Sequence, residues 1–127
     1  MGIIHRDLKP ENLMIVDDSE DVEDNLRIID FGFSNYLSRL REMKPEELLA
    51  GTPGYIAPEI LRNEAISFKV DNFAIGSIIY FMYFFDLMFF RLSGDIPFNG
   101  HSIQEMFQKT LNGTIDYDGR KWQAISN

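Results

Sequence analysis

The sequence contains no cysteine, which excludes disulfides and thiolate metal sites and suits a reducing, cytoplasmic compartment. It is short of positive charge: 12 Lys and Arg stand against 20 Asp and Glu, for a net charge of −8. With the basic residues scattered rather than clustered, a nucleic-acid footprint is excluded. No secretory leader is visible, because Met1-Gly2-Ile3-Ile4 runs straight into charge. Gly2 suits an N-myristoyl acceptor, but Arg6 stands where that pattern needs Ser or Thr. Internal repeats and low-complexity linkers are absent too, and 127 residues allow one domain at most.

What is present argues for a folded chain. Apolar residues make up 45%, with 11 Phe and 5 Tyr, too many for a disordered segment. His5-Arg6-Asp7-Leu8-Lys9-Pro10-Glu11-Asn12 packs a proton acceptor, a cation and an amide into one short loop. Leu13-Met14-Ile15-Val16 and Leu26-Arg27-Ile28-Ile29 read as two short strands. The acidic run between them places Asp17, Ser19 and Asp21 like a calcium loop. Val22 occupies the position that needs Gly, however, and no Glu closes the loop, so a solvated hairpin loop is expected. Asp30-Phe31-Gly32 follows the second strand, where a carboxylate at a strand end can present a metal ligand.

Further along, 33–50 is expected to be a polar loop. Phe73 to Phe90 is apolar on every side, so the helix it forms, about 70–90, is expected to be buried. It is near the minimum length for a bilayer span, but Asp86 inside it makes a span unfavourable by roughly 3 kcal/mol. Ser102-Ile103-Gln104-Glu105 is a capping box, and Ile103, Met106, Phe107 and Leu111 then share one face of a helix that Gly113 ends.

In order, these stretches resemble the signatures of eukaryotic protein kinases. Residues 5–12 match the catalytic loop H-R-D-L-x-x-x-N letter for letter, 30–32 match D-F-G, and Ala57-Pro58-Glu59 matches A-P-E. Asp71-Asn72-Phe73-Ala74-Ile75-Gly76 is similar to the D-x-W-S-x-G that opens the family's long helix, with Phe73 in place of Trp. Trp122 to Ser126 looks like its later W-x-x-I-S. The resemblance implies that Asp7 orients a hydroxyl and takes its proton, that Lys9 offsets phosphoryl charge, and that Thr52 bonds both. It implies that Asn12 and Asp30 hold Mg2+, with Lys9 and Glu11 on the ATP side. His5, Arg6, Phe31, Gly32, Glu59 and Asp71 take structural or regulatory roles, Asp71 by accepting from the catalytic-loop backbone.

Lys9 in this loop looks like the Ser/Thr-specific branch of the family, and Gly51-Thr52-Pro53-Gly54-Tyr55-Ile56-Ala57-Pro58-Glu59 is similar to the calcium/calmodulin-dependent and calcium-dependent groups. ATP, Mg2+ and a protein substrate are the implied partners. The activation segment is expected over 30–59 and a substrate-side helix over about 102–112. No Ser or Thr lies between Arg39 and Gly51, so Glu46 or Glu47 is expected to stand in for a phosphate against Arg6.

The sequence has no Gly-rich phosphate loop, no V-A-I-K lysine with its helix Glu, and no hinge. The Arg that pairs with Glu59 in the family is also lacking. Leu92-Ser93-Gly94-Asp95-Ile96-Pro97-Phe98 resembles the family's L-S-G-x-x-P-F turn, which in the family follows the helix Gly by about nine residues; here Gly76 and Gly94 lie about eighteen apart, so the resemblance implies an insert of roughly nine residues within Phe81 to Arg91, about two and a half helical turns. The expected fold is α+β, mainly α: a partial kinase-like C-terminal lobe over 1–127 with a small β-hairpin next to the catalytic loop. Alone it is expected to bind Mg-ATP poorly. A non-catalytic interaction module is the alternative.

Overall fold

The computed structural model describes residues 2–16, 25–87, 96–113 and 115. The acidic loop 17–24, part of the insert, the start of the Leu92–Phe98 turn and the Trp122–Ser126 stretch lie outside the described residues. Four short strands pair as two antiparallel two-stranded sheets. In one, β1 (Ile3–Ile4) meets β4 (Asn35–Tyr36), with Ile3 opposite Tyr36. In the other, β2 (Leu13–Ile15) meets β3 (Leu26–Ile28), with Leu13 opposite Ile28 and Ile15 opposite Leu26. A single 3-10 turn, Pro10–Asn12, leads into β2. Pro10 suits its first position because its missing N–H would be unpaired there.

Residues 33–50 depart from the polar loop expected. They contain two single-turn helices, α1 (Leu37–Leu40) and α2 (Pro45–Leu48). Leu40 and Ile4 are fully buried, so apolar residues in an otherwise charged stretch pull it onto the body. Burying such a side chain contributes about 1.5–3 kcal/mol. Next come α3 (Pro58–Leu61), α4 (Lys69–Leu87) and α5 (Ile103–Asn112). Ser102 Oγ caps α5 by accepting from Glu105 N–H at 3.1 Å, and Gly113 ends it in the left-handed region at φ 63°. The Glu105 carboxylate reaches His101 N–H at 2.8 Å, one residue before the capping-box position expected.

The core has two parts. Ile4, Leu40, Ile56, Ala57, Ile60 and Val70 belong to the larger cluster, and Leu8, Ala74 and Ile78 form a smaller one, which includes Leu8 of the loop between β1 and β2. Helix α4 serves both. Phe73 stacks on Phe98 at 5.7 Å between ring centroids, so the aromatic bulk expected there has a ring to pack against. The expectation of burial all round is corrected. Val70, Ala74, Ser77 and Ile78 face inward, whereas Ile75, Ile79 and Met82 are exposed, Ile79 at 62%. The described core packs against one side of α4 only. No helix among the described residues is long and apolar enough to cross a membrane.

Candidate active site

The site is built where the chain between β1 and β2 turns over the smaller core cluster. Leu8 is buried in that cluster, between Asp7 and Lys9 in the chain. Asp7 is 3% exposed, yet its carboxylate is well supplied with donors. Thr52 Oγ1 donates to Asp7 Oδ1 at 2.7 Å, Lys9 Nζ donates to Thr52 Oγ1 at 2.8 Å, and Lys9 Nζ stands 3.1 Å from Asp7 Oδ2. Carboxylate, ammonium and hydroxyl thus close a triangle in which the hydroxyl both donates and accepts. The buried charge of Asp7 is tolerated because it is paired and hydrogen-bonded.

Asn12 is also buried. Its amide nitrogen donates to the Asp7 carbonyl at 2.8 Å and lies 3.5 Å from Asp7 Oδ2. That fixes the amide orientation and leaves its oxygen as the acceptor end. Asn12 carbonyl accepts from Ile29 N–H at 2.9 Å, so the loop and the end of β3 are joined one residue before Asp30. Asp30 is exposed, with φ at 59°. Its Oδ1 accepts from Gly32 N–H at 3.2 Å, and a Cβ on Gly32 would sit 3.1 Å from that same oxygen. A carboxylate and an amide oxygen are hard donors of the kind that Mg2+ takes, so the residues fit that ion. Among the described residues no cluster of three or more His, Asp or Glu forms a metal cage.

His5 joins the loop to β3. Asp7 N–H donates to His5 Nδ1 at 3.3 Å, so the ring proton is on Nε2 and points to Ile29 carbonyl at 3.1 Å. Phe31 meets the ring edge-on at 4.9 Å. Asp71, in the first turn of α4, accepts from His5 N–H at 2.8 Å and Arg6 N–H at 3.0 Å. Arg6 adopts φ 72°, and Asp71 holds it in that uncommon conformation.

Among the described residues the Arg6 guanidinium makes no ion pair with an acidic side chain. Its Nη2 donates to the carbonyls of Glu47 at 3.0 Å and Leu48 at 2.8 Å, and Nη1 to that of Phe33 at 3.4 Å. The Glu47 carboxylate instead accepts from Lys44 N–H at 2.9 Å. The expected anion stand-in is therefore corrected: main-chain carbonyls occupy Arg6. Burial lowers the Arg6 pKa from its ordinary value.

Glu11 is exposed and Glu59 half-buried, and neither joins the triangle. No ion pair to Glu59 occurs among the described residues. Burial pushes the Tyr55 hydroxyl up to about 12, with the Glu11 charge adding to the effect. Sequence reasoning passed over Tyr55, and also Ser34, whose hydroxyl donates to His5 carbonyl at 3.3 Å. A cavity of about 340 Å³ opens between α3 and α5, with Ile60 and Phe107 in its lining, and takes in none of these residues.

Comparison with known proteins gives a family profile, protein kinase domain, that matches residues 1–127. A probable serine/threonine-protein kinase 2 of Plasmodium falciparum is 35% identical over 121 residues, which cover 95% of this chain and 21% of that protein. Calcium-dependent protein kinase 25 of Arabidopsis thaliana is 38% identical, over 99% of this chain and 21% of that protein. Calcium/calmodulin-dependent protein kinase type 1 of Caenorhabditis elegans is 35% identical, over 99% and 32%. The chain spans roughly a fifth to a third of the length of these relatives.

Proposed function

The chain belongs to the protein kinase domain family, and from that premise we propose that it carries the phosphoacceptor side of a Ser/Thr protein kinase site, within the C-terminal lobe. The triangle of Asp7, Lys9 and Thr52 is the observation that carries this reading. Asp7 orients the substrate hydroxyl and accepts its proton as the oxygen bonds to phosphorus and the nucleoside diphosphate leaves. Lys9 offsets negative charge on the moving group, and Thr52 keeps both side chains aimed. Work of this kind is positioning and charge neutralisation.

Asn12 and Asp30 would hold Mg2+ through oxygen atoms, and Lys9 and Glu11 face the ATP side. Bound magnesium neutralises phosphate charge. Residues 1–127 include neither a Gly-rich loop nor a V-A-I-K lysine, so they build only part of a nucleotide site, and calorimetric titration of this chain with Mg-ATP is expected to give no saturable micromolar binding.

The deciding experiment measures transfer of labelled phosphate from ATP to a serine peptide by the natural product that contains this chain. Asp7→Asn is expected to lower the rate by about 10²–10⁴-fold. An unchanged rate would remove Asp7 from the reaction. A second reading, a non-catalytic interaction module, draws on the exposed Ile75, Ile79 and Met82 of α4. Absence of transfer by the natural product, together with a defined partner lost on substitution of Ile79, would favour it.

A further inference from the structure

We propose that Asn99 is a site of self-modification, at which the main-chain nitrogen of Gly100 displaces ammonia from the Asn99 side chain and Lys109 promotes the attack. The inference stands on local geometry and is independent of the kinase reading.

The sequence holds two Asn-Gly pairs, Asn99-Gly100 and Asn112-Gly113. Glycine leaves its own nitrogen unshielded by a Cβ, so both pairs are open to reaction in an unfolded chain. The fold treats them differently. Asn99 is exposed and lies outside every helix and strand. Its Oδ1 accepts from Gly100 N–H at 2.9 Å, and Cγ is one C=O bond, about 1.2 Å, from that oxygen. Nucleophile and electrophile are thus held side by side. Asn112 is instead the last residue of α5, and Gly113 N–H donates to Thr110 carbonyl at 3.3 Å. Helical ψ at Asn112 keeps that nitrogen away from its side chain. Tyr36 N–H also meets Asn35 Oδ1, at 2.9 Å. There, however, β4 is paired with β1 and the following residue is bulky.

A cation completes the site at Asn99. Attack requires Gly100 nitrogen to give its proton to water. The resulting amide anion shares its charge with the Asn99 carbonyl oxygen through the peptide resonance. Lys109 Nζ donates to that oxygen at 2.7 Å and is steadied by Glu105 Oε1 at 2.9 Å. An ammonium placed where negative charge develops favours the step.

The nitrogen then bonds to Asn99 Cγ, the Cγ–Nδ2 bond breaks, and Nδ2 takes a proton from water and leaves as ammonia. Water opens the cyclic imide at either carbonyl. Opening at Cγ leaves an aspartyl side chain. Opening at the main-chain carbon leaves an isoaspartyl link, with one more atom in the backbone. Overall one water is consumed and one ammonia released, with no change of oxidation state. Both products place a new carboxylate in the turn before α5. The isoaspartyl link also displaces Gly100, which packs so closely on α5 that a Cβ there would lie 3.0 Å from Glu105 Cβ.

The test incubates the natural product that contains this chain, folded and in urea, in isotopically labelled water. Peptide mass spectrometry then reads label uptake at residues 35, 99 and 112. In the folded protein, conversion at 99 is expected to exceed that at 112 and at 35 about tenfold or more, whereas in urea 99 and 112 agree within about threefold. Lys109→Met is expected to slow residue 99 about two- to fivefold in the folded protein and not in urea. Lys109→Arg is expected to keep the wild-type rate. No conversion at 99, equal conversion at 99 and 112 in the folded protein, or a tenfold difference that persists in urea overturns the inference. A wild-type rate in Lys109→Met overturns the role of Lys109. If Lys109→Met lowers the melting temperature, Lys109→Arg is compared with Lys109→Gln instead, and equal rates there overturn that role.

Discussion

Thr52 shows what one hydroxyl contributes at this site. It donates to Asp7 and accepts from Lys9, so Thr52→Val leaves a buried carboxylate oxygen without its donor. The expected loss is roughly 1–3 kcal/mol, read as a lower urea midpoint at unchanged m-value, with Thr52→Ser close to wild type. Much of this residue-scale picture was legible in sequence. Asp7, Lys9 and Asn12 sit at spacings that put them in one loop, and the family resemblance implied that Asp71 accepts from that loop's backbone. The acceptors of Arg6 were not legible, because a main-chain carbonyl has no letter of its own. A charged side chain at 47 drew attention, while its unmarked carbonyl makes the bond.

At the scale of elements, α5 carries its boundaries openly. Ser102 and Gly113 mark its two ends in sequence and in structure. Glu105 in its first turn is held below the usual carboxylate range, chiefly by the Lys109 side chain and then by His101 N–H. The folded chain therefore binds this proton less tightly than the unfolded chain does. The resulting stability is present above the ordinary value of 4.5 and is lost as pH falls through the lower folded value. Melting temperatures from pH 7 down to 3 are expected to decline less in Glu105→Gln than in wild type. Strands β2 and β3 were legible from apolar runs. The pairing of β1 with β4 was not, since two-residue strands have no period to detect. Helices α1 and α2 are likewise single turns, too short for a 3.6-residue pattern to stand out from a charged stretch.

Across the whole molecule, the described surface carries apolar side chains in two rows. Leu13, Ile15, Leu26 and Ile28 share one face of the β2–β3 pair, because opposed residues point the same way. Three of the four are exposed. The outward row of α4 adds Ile75, Ile79 and Met82. Apolar patches of this kind bind dyes and promote association. Ile79→Glu is expected to lower fluorescence of a bound hydrophobic dye and to shift sedimentation toward monomer. It should change stability by no more than about 0.5 kcal/mol, the usual range for a surface substitution. Hydrophobic pattern alone predicted a helix covered on all sides, because pattern reports what a segment could bury and not how much of it meets a neighbour.

The pairing of β1 with β4 has a topological consequence. Together they draw residues 5–34 into a noose, with Ile3 and Ile4 on one side of the clasp and Asn35 and Tyr36 on the other. Asp7, Lys9, Asn12 and Asp30 all lie on its circumference. Doubling the length of such a loop adds only about 0.6 kcal/mol of closure entropy. The length of chain joining β2 to β3 can therefore vary at little cost, because the β1–β4 clasp, the β2–β3 ladder and the Asn12–Ile29 bond together close the loop that carries both carboxylates.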